Sequence, residues 1–207
     1  MPENLHKLFV ISSPSGGGKT SLINKLFEDS RSANFEKSIS DTSRQKRQGD
    51  LEGIDYYYLS EKDFKDKIKK EEYVEYATVF GNFYGTSKEE IKTKYNNSNL
   101  ILELDWQGAY AVKELFGDAK LIFLVPPSLD DLKKRLIKRN LDSPESIENR
   151  LSEAKKEISK SEIYDYLILN DDFDKAFEDL SQILFENIST SDFNSRVSKD
   201  LIKRLVE

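Results

Sequence analysis

The sequence predicts an α/β architecture. A parallel β-sheet carries helices on both faces, with a small mixed-β unit inserted into it. Three observations predict this. Apolar runs of strand length alternate with helical patterns along most of the 207 residues. A glycine-rich turn ending in Lys19 and Thr20 joins the first such run to the first helix. Between residues 36 and 86 the pattern changes to short segments rich in aromatic residues. Strands that alternate with helices imply right-handed crossovers and a sheet covered on both sides.

Taken in order, "LFVIS" (8–12) reads as a buried strand. "GKTSLINKLFED" then opens a helix with Leu22, Ile23 and Leu26 on its apolar face. "LILELD" (100–105), "KLIFLV" (120–125) and "YLILN" (166–170) are further buried strands. The helical patterns "WQGAYAVKELF", "SLDDLKKRLIKR" and "SPESIENRLSEAKKEISKS" separate them. Ser128 with Asp131 resembles a capping box, and Ser143 before Pro144 is an N-cap followed by proline at the first helical position. In the inserted segment, "YYYLS" and "YVEYATVFGNFYGTS" read as short strands with a hairpin at Gly81-Asn82. The tail, "VSKDLIKRLVE", reads as a surface helix. The organisation expected is a core of 1–35, 87–125 and 164–190, an insertion at 36–86, a lid and following helix at 126–163, and a helical tail at 191–207.

Composition narrows the function. The formal net charge is -6, which disfavours a nucleic-acid binder but leaves a locally basic pocket for a small anion. Cysteine is absent, so thiolate metal sites, disulfides and a cysteine nucleophile are excluded. Absent cysteine, the lack of a signal-like N-terminus and the lack of a long apolar run lead to the expectation of a cytoplasmic protein with no membrane segment. The single histidine, His6, precedes the first strand beside a charged terminus, so a histidine base is not expected.

"SSPSGGGKTS" carries the chemistry. It ends as a phosphate-binding P-loop does, in Gly18-Lys19-Thr20, but Ser13 stands at the first glycine position of G-x-x-x-x-G-K-[ST]. Ser13 precedes Pro14, which biases it toward extended backbone, where glycine is unnecessary. Gly16, Gly17 and Gly18 permit positive φ and close approach, so their N–H groups and the helix N-terminus form an anion cradle. In such a loop the lysine reaches the β/γ-phosphates and the threonine hydroxyl reaches Mg²⁺. Further on, Arg44 and Arg47 lie three apart with Tyr56 downstream. Guanidinium forks bind phosphate through paired hydrogen bonds, and a tyrosine hydroxyl adds a donor.

From the P-loop to about Asp174, the R-x-x-R segment, "DYYYLS", "FGNFYGTS", "DWQGA" and "NDD" follow in the order found in guanylate kinases, and the chain resembles that family. The resemblance implies a P-loop NTPase-type fold and transfer of the γ-phosphoryl group of ATP to GMP, and to dGMP, with Mg²⁺. It implies ATP contacts at Ser15, Gly16, Gly17, Gly18, Lys19, Thr20, Ser21 and Asn170. Guanine would meet Ser40, Glu75, Thr86 and Asp105, and the GMP phosphate would meet Arg44, Arg47, Tyr56 and Tyr84. Lys19, Arg44, the lid arginines Arg135 and Arg139, and Arg150 would carry the catalytic charge. The metal would lie at Thr20, with Glu103 on its far side through water. Glu103 stands where many members carry aspartate, one methylene shorter.

Read without the resemblance, several of these residues have plainer roles. Arg135 and Arg139, beside Lys133, Lys134 and Lys138, make an exposed charged helix face. Tyr56, Tyr84 and Trp106 serve as packing aromatics, and Glu75 as a charge on an edge strand. A non-catalytic phosphopeptide-binding module of the same fold would use the same arginines, but intact Lys19 and Thr20 argue against it. A P-loop GTPase switch is disfavoured because no N-K-x-D motif is present. The partners expected are GMP and ATP, with no nucleic acid, and a monomer or homodimer.

Overall fold

A computed structural model of the chain describes residues 6–79, 81–138 and 144–207. Strands β1 (Leu8–Ser12), β2 (Phe35–Lys37), β7 (Asn99–Glu103), β8 (Lys120–Val125) and β9 (Tyr166–Leu169) form one sheet in the order β2-β7-β1-β8-β9. Every pairing in it is parallel. Apart from the short edge strand β2, its strands are nearly unbroken apolar runs because both faces are covered. Leu8, Val10, Leu100, Leu102, Leu121 and Phe123 point to one face, and Phe9, Ile11, Ile101, Ile122 and Leu124 to the other.

Helices fill each face. α1 (Lys19–Glu28) and α7 (Phe173–Leu184) bury Leu22, Ile23, Leu26, Leu180 and Ile183 against the second face. α4 (Trp106–Leu115) and α6 (Pro144–Ser159) cover the first face through Ala109, Val112 and Ile158. α5 (Leu129–Lys138) starts where its capping residue predicts, with the Asp131 N–H donating to Ser128 Oγ at 3.0 Å. α6 begins at Pro144, the expected first helical position, while Ser143 lies outside the described residues.

The second sheet is mixed, with strands β3 (Asp41–Thr42), β4 (Tyr57–Tyr58), β5 (Tyr73–Val79) and β6 (Asn82–Ser87) in the order β4-β3-β6-β5. Gly81 has φ +79° at the expected hairpin. Phe64 is fully buried and stacks on Tyr73 at 4.5 Å and on Phe83 at 5.3 Å. Asp41, only 3% exposed, accepts from Tyr73 Oη at 2.8 Å and pairs with Lys67 Nζ at 2.6 Å, which compensates its burial.

The structure corrects four expectations. Residues 36 and 37, assigned to the insertion, lie in the parallel sheet, because β2 pairs with β7 from Phe35 to Lys37. Helices α2 (Glu61–Lys69) and α3 (Lys88–Tyr95) were not expected; Ser60 and Ser87 cap them by accepting from the N–H groups of Asp63 and Glu90. The strand "LILELD", β7, stops at Glu103 rather than 105, since Asp105 leaves it to cap α4, accepting from the Gly108 N–H at 2.9 Å. Strand alternation therefore does not set Glu103 and Asp105 side by side. Finally, the tail helix α8 (Lys199–Val206) is no mere surface element. Leu205 is 2% exposed within the core, with Leu201, Ile202 and Val206 packed beside it.

That packing gives the first prediction. Leu205→Ala should destabilise the fold by about 2–5 kcal/mol, the range for a buried leucine truncation. A denaturant midpoint indistinguishable from wild type would return the tail to the surface.

Candidate active site

β1 lies between β7 and β8, so the loops leaving the carboxyl ends of β1 and β7 meet above the sheet. Open α/β sheets bind ligands at such an edge. The loop after β1 is held from within, with the Gly17 N–H donating to Pro14 O at 2.8 Å. Gly16 and Gly18 use positive φ, +83° and +92°. Gly17 does not, contrary to expectation; a Cβ there would meet Pro14 O and Ser13 Cβ at 2.8 Å. Ser13 is absent from the described non-glycine residues with positive φ, Glu71 and Asn187, so its backbone has no need of glycine.

Asn170, 4% exposed at the end of β9, closes the loop from the side. Its Nδ2 donates to Gly17 O at 2.6 Å, and a Cβ at Gly18 would sit 2.5 Å from that nitrogen. Arg135 of α5 donates to Asn170 O at 2.8 Å, and Arg150 of α6 donates to Ser15 Oγ at 2.9 Å. Helices α5 and α6 thus present cations to the loop. Arg139, expected beside Arg135, lies outside the described residues. Ser21 is exposed on the first turn of α1.

Lys19 begins α1 and donates to Leu104 O at 3.2 Å. Burial lowers its pKa, while the charges of Glu103, Glu157 and Asp105 pull it back up. Thr20 Oγ1 donates to Glu103 Oε1 at 2.7 Å, and Lys37 Nζ meets Glu103 Oε2 at 2.7 Å. Burial pushes the Glu103 carboxyl up, but Lys37 and Lys19 outweigh it and hold it below the usual range. Among the described residues, no three His, Cys, Asp or Glu side chains converge as a metal site. The hydroxyl and carboxylate at Thr20 and Glu103 are nevertheless hard oxygen donors, the kind Mg²⁺ takes alongside substrate phosphates.

A cavity of about 370 Å³ opens between this loop and the second sheet, lined by Lys19, Thr20, Lys37, Ser40, Tyr56 and Glu103. On its far side Arg44 pairs with Asp50 at 2.8 Å and lies 5.5 Å from the centre of the Tyr56 ring. Tyr56 in turn meets Tyr84 edge-on at 5.7 Å. Arg47 is exposed, and its backbone N–H donates to Asp50 at 2.9 Å. Deeper in the second sheet, Thr86 Oγ1 donates to Glu75 Oε1 at 2.7 Å. Burial raises Glu75, partly offset by the Thr86 hydrogen bond, and the charge of Asp105 adds to the rise.

The structure therefore gathers the expected residues into neighbouring sets. Ser15, Gly17, Arg135, Arg150 and Asn170 surround the loop; Thr20 adjoins Glu103; Arg44, Tyr56 and Tyr84 cluster; and Glu75 joins Thr86. Sequence reasoning missed Lys37 and Glu157. Lys37 ends a three-residue strand without a motif. Glu157 sits seven residues after Arg150 and next to buried Ile158, a charge bordering the apolar stripe of α6. It lines a second cavity of about 420 Å³ together with Ser15, Asn149, Arg150 and Glu153.

Comparison with known proteins points one way. The family model described as guanylate kinase matches residues 5–187. A guanylate kinase of Francisella tularensis subsp. holarctica is 44% identical over 186 residues, 88% of this chain and 98% of the relative. One from Haemophilus influenzae is 41% identical over 201 residues, 96% of this chain and 97% of the relative. The crystal structure of guanylate kinase from Anaplasma phagocytophilum superposes with a TM-score of 0.68 at 34% identity, covering 89% of this chain and 87% of that one.

Glu157 supplies a pH-dependent prediction. Burial pushes its carboxyl up to about 7, against the pull of Lys19. A raised acid binds its proton more tightly when folded, so its contribution to stability is full below the unfolded pKa and lost as pH rises through about 7. Its ionisation also places negative charge beside the phosphate loop. ATP affinity relative to Glu157→Gln should therefore fall between pH 6 and pH 8, by about threefold to tenfold. Calorimetric titrations of both proteins at the two pH values measure it. A wild-type to variant ratio that does not move with pH would remove Glu157 from the electrostatics of the loop.

Proposed function

The chain belongs to the guanylate kinase family, and we infer that it transfers the γ-phosphoryl group of ATP to GMP, giving ADP and GDP. The observation that carries this reading is the cavity between two unlike sides, with Lys19 and Thr20 on one and Ser40 and Tyr56 on the other. ATP takes the loop side and GMP the side of the second sheet. The phosphopeptide-binding alternative has no use for Lys19 and Thr20 beside that cavity, and relatives named guanylate kinase over nearly their whole length do not favour it.

The chemistry needs no general base. A phosphate monoester loses its second proton near pH 6, at roughly pKa 6, so the acceptor is already largely a dianion at neutral pH. The single histidine, His6, is far from being required. The problem is to bring two anions into line and to neutralise charge as it moves between them. Lys19 and the N–H groups of the loop hold the β/γ-phosphates of ATP. Arg44, Arg47, Tyr56 and Tyr84 bind the phosphate of GMP; Arg44 exchanges its Asp50 partner for phosphate, and exposed Arg47 folds in. Arg135, Arg139 and Arg150 bring lid charge to the transferring group. The Thr20 hydroxyl, with Glu103 behind it, would hold Mg²⁺, which would supply positive charge to offset the phosphates. Ser15, Gly16, Gly17, Gly18, Ser21 and Asn170 complete the ATP side.

Base choice falls to the buried carboxylate. Guanine offers N1–H and an amino group as donors, and Glu75 accepts them. The Thr86 hydroxyl proton is engaged with Glu75 and so is not aimed at guanine O6. The role of Thr86 is to aim the carboxylate, with Ser40 and Asp105 completing the guanine pocket. Adenine would set its N1 lone pair against the same carboxylate, a buried mismatch.

Glu75→Gln tests both halves of this reading. GMP kcat/KM should fall by about 2–4 kcal/mol, from a lost charged hydrogen bond and a misplaced amide NH₂. AMP should lose less, so the GMP to AMP ratio should shrink. Equal losses for both nucleotides would make Glu75 a support of the sheet rather than a reader of the base.

A further inference from the structure

One carboxylate in the site accepts from two side chains, the Lys37 ammonium and the Thr20 hydroxyl. Lys37 ends β2, and its backbone is fixed from both sides: Lys94 Nζ donates to Lys37 O at 2.8 Å, and the Ser38 N–H donates to Ile101 O at 2.9 Å. From there the ammonium reaches Glu103 Oε2 at 2.7 Å. The other oxygen, Oε1, accepts the Thr20 hydroxyl proton at 2.7 Å. That donation leaves the lone pairs of Thr20 Oγ1 available to a metal. Glu103 is thus charge-balanced by Lys37. The side chain of Lys37 is 40% exposed and that of Glu103 is 19% exposed, so the ammonium can move to water more easily than the carboxylate can.

We propose that Lys37 competes with the divalent cation for Glu103, so that the metal binds firmly only when nucleotide phosphates bring further negative charge. The proposal rests on the reading that Thr20 and Glu103 face the metal. A divalent ion at the Thr20 hydroxyl stands one carboxylate away from the ammonium, and like charges at that spacing repel strongly in a partly desolvated site. Mg²⁺ sheds its waters reluctantly and needs several oxygen ligands. A single carboxylate already neutralised by lysine is too little to hold it. ATP adds the missing oxygens and charge, and the ion then arrives with its substrate. Coupling of this type is reciprocal, so metal binding weakens the Lys37–Glu103 pair to the same degree.

Manganese titrations followed by electron paramagnetic resonance test this on the full-length protein, without and with ADP. Lys37→Met and Lys37→Gln should bind Mn²⁺ alone at least about fivefold more tightly than wild type. Lys37→Arg, which keeps the charge, should behave as wild type, and the gain should vanish when Glu103→Gln is added to Lys37→Met. Two uncharged variants guard against one that fails to fold, and a thermal melt reports folding independently. Unchanged or weaker Mn²⁺ affinity in a folded, uncharged variant would overturn the proposal, as would a gain that survives Glu103→Gln. If ADP fails to strengthen Mn²⁺ binding in the wild type, the metal-facing reading of Thr20 and Glu103 falls first, and this proposal with it.

Discussion

The site is built around a partly buried ammonium. Lys19 opens α1 at the carboxyl edge of the parallel sheet, where desolvation works against its charge. Its charge is tolerated because Glu103, Glu157 and Asp105 stand near and Leu104 O accepts from its Nζ. These partners come from β7, the segment after it, and α6, so keeping one lysine charged draws the core sheet and α6 toward one point. Phosphate can replace the carboxylates in that role. A site whose charges are balanced by fixed neighbours meets the requirement of phosphoryl transfer for preorganised charge.

Topology makes the convergence possible. Because β1 is flanked by β7 and β8, the phosphate loop, the Leu104–Asp105 segment and Asn170 at the end of β9 all emerge at the same edge. Close approach there is steric as much as electrostatic: side chains at Gly17 or Gly18 would collide with Pro14 O or Asn170 Nδ2. The second sheet is set apart by its composition. Stacked Phe64, Tyr73 and Phe83 and the Asp41–Lys67 pair give it a small core of its own, which holds Glu75 and Thr86 at a fixed depth.

The sequence made the parallel core legible because two-sided burial writes uninterrupted apolar runs such as "LFVIS" and "KLIFLV". It made the phosphate loop legible because glycine, lysine and threonine in that order answer a specific steric and electrostatic need. Arg44 and Tyr56 were singled out through spacing and motif order; Tyr56 lines the cavity and Arg44 stands beside its ring. Elements that rest on few apolar residues were not legible. α2 buries a single residue, Phe64, and α3 only Ile91 and Tyr95, so periodicity had little to register. The tail helix misled for a different reason: charges dominate "VSKDLIKRLVE", and burial of Leu205 depends on a distant partner face. Lys37 and Glu157 escaped because their importance lies in what stands opposite them in space. Asp105 was read as the end of a strand, where it is a helix cap, because its role depends on the turn that follows.

The most direct test of the account is the initial rate of ADP formation from ATP with GMP, AMP, CMP and UMP as acceptors, under identical conditions. GMP should be the strongly preferred acceptor, with kcat/KM above that for AMP by about 10⁴ or more, the discrimination expected when a buried carboxylate faces the wrong hydrogen-bonding edge. Comparable rates with GMP and AMP, or no acceptor-dependent turnover, would contradict it.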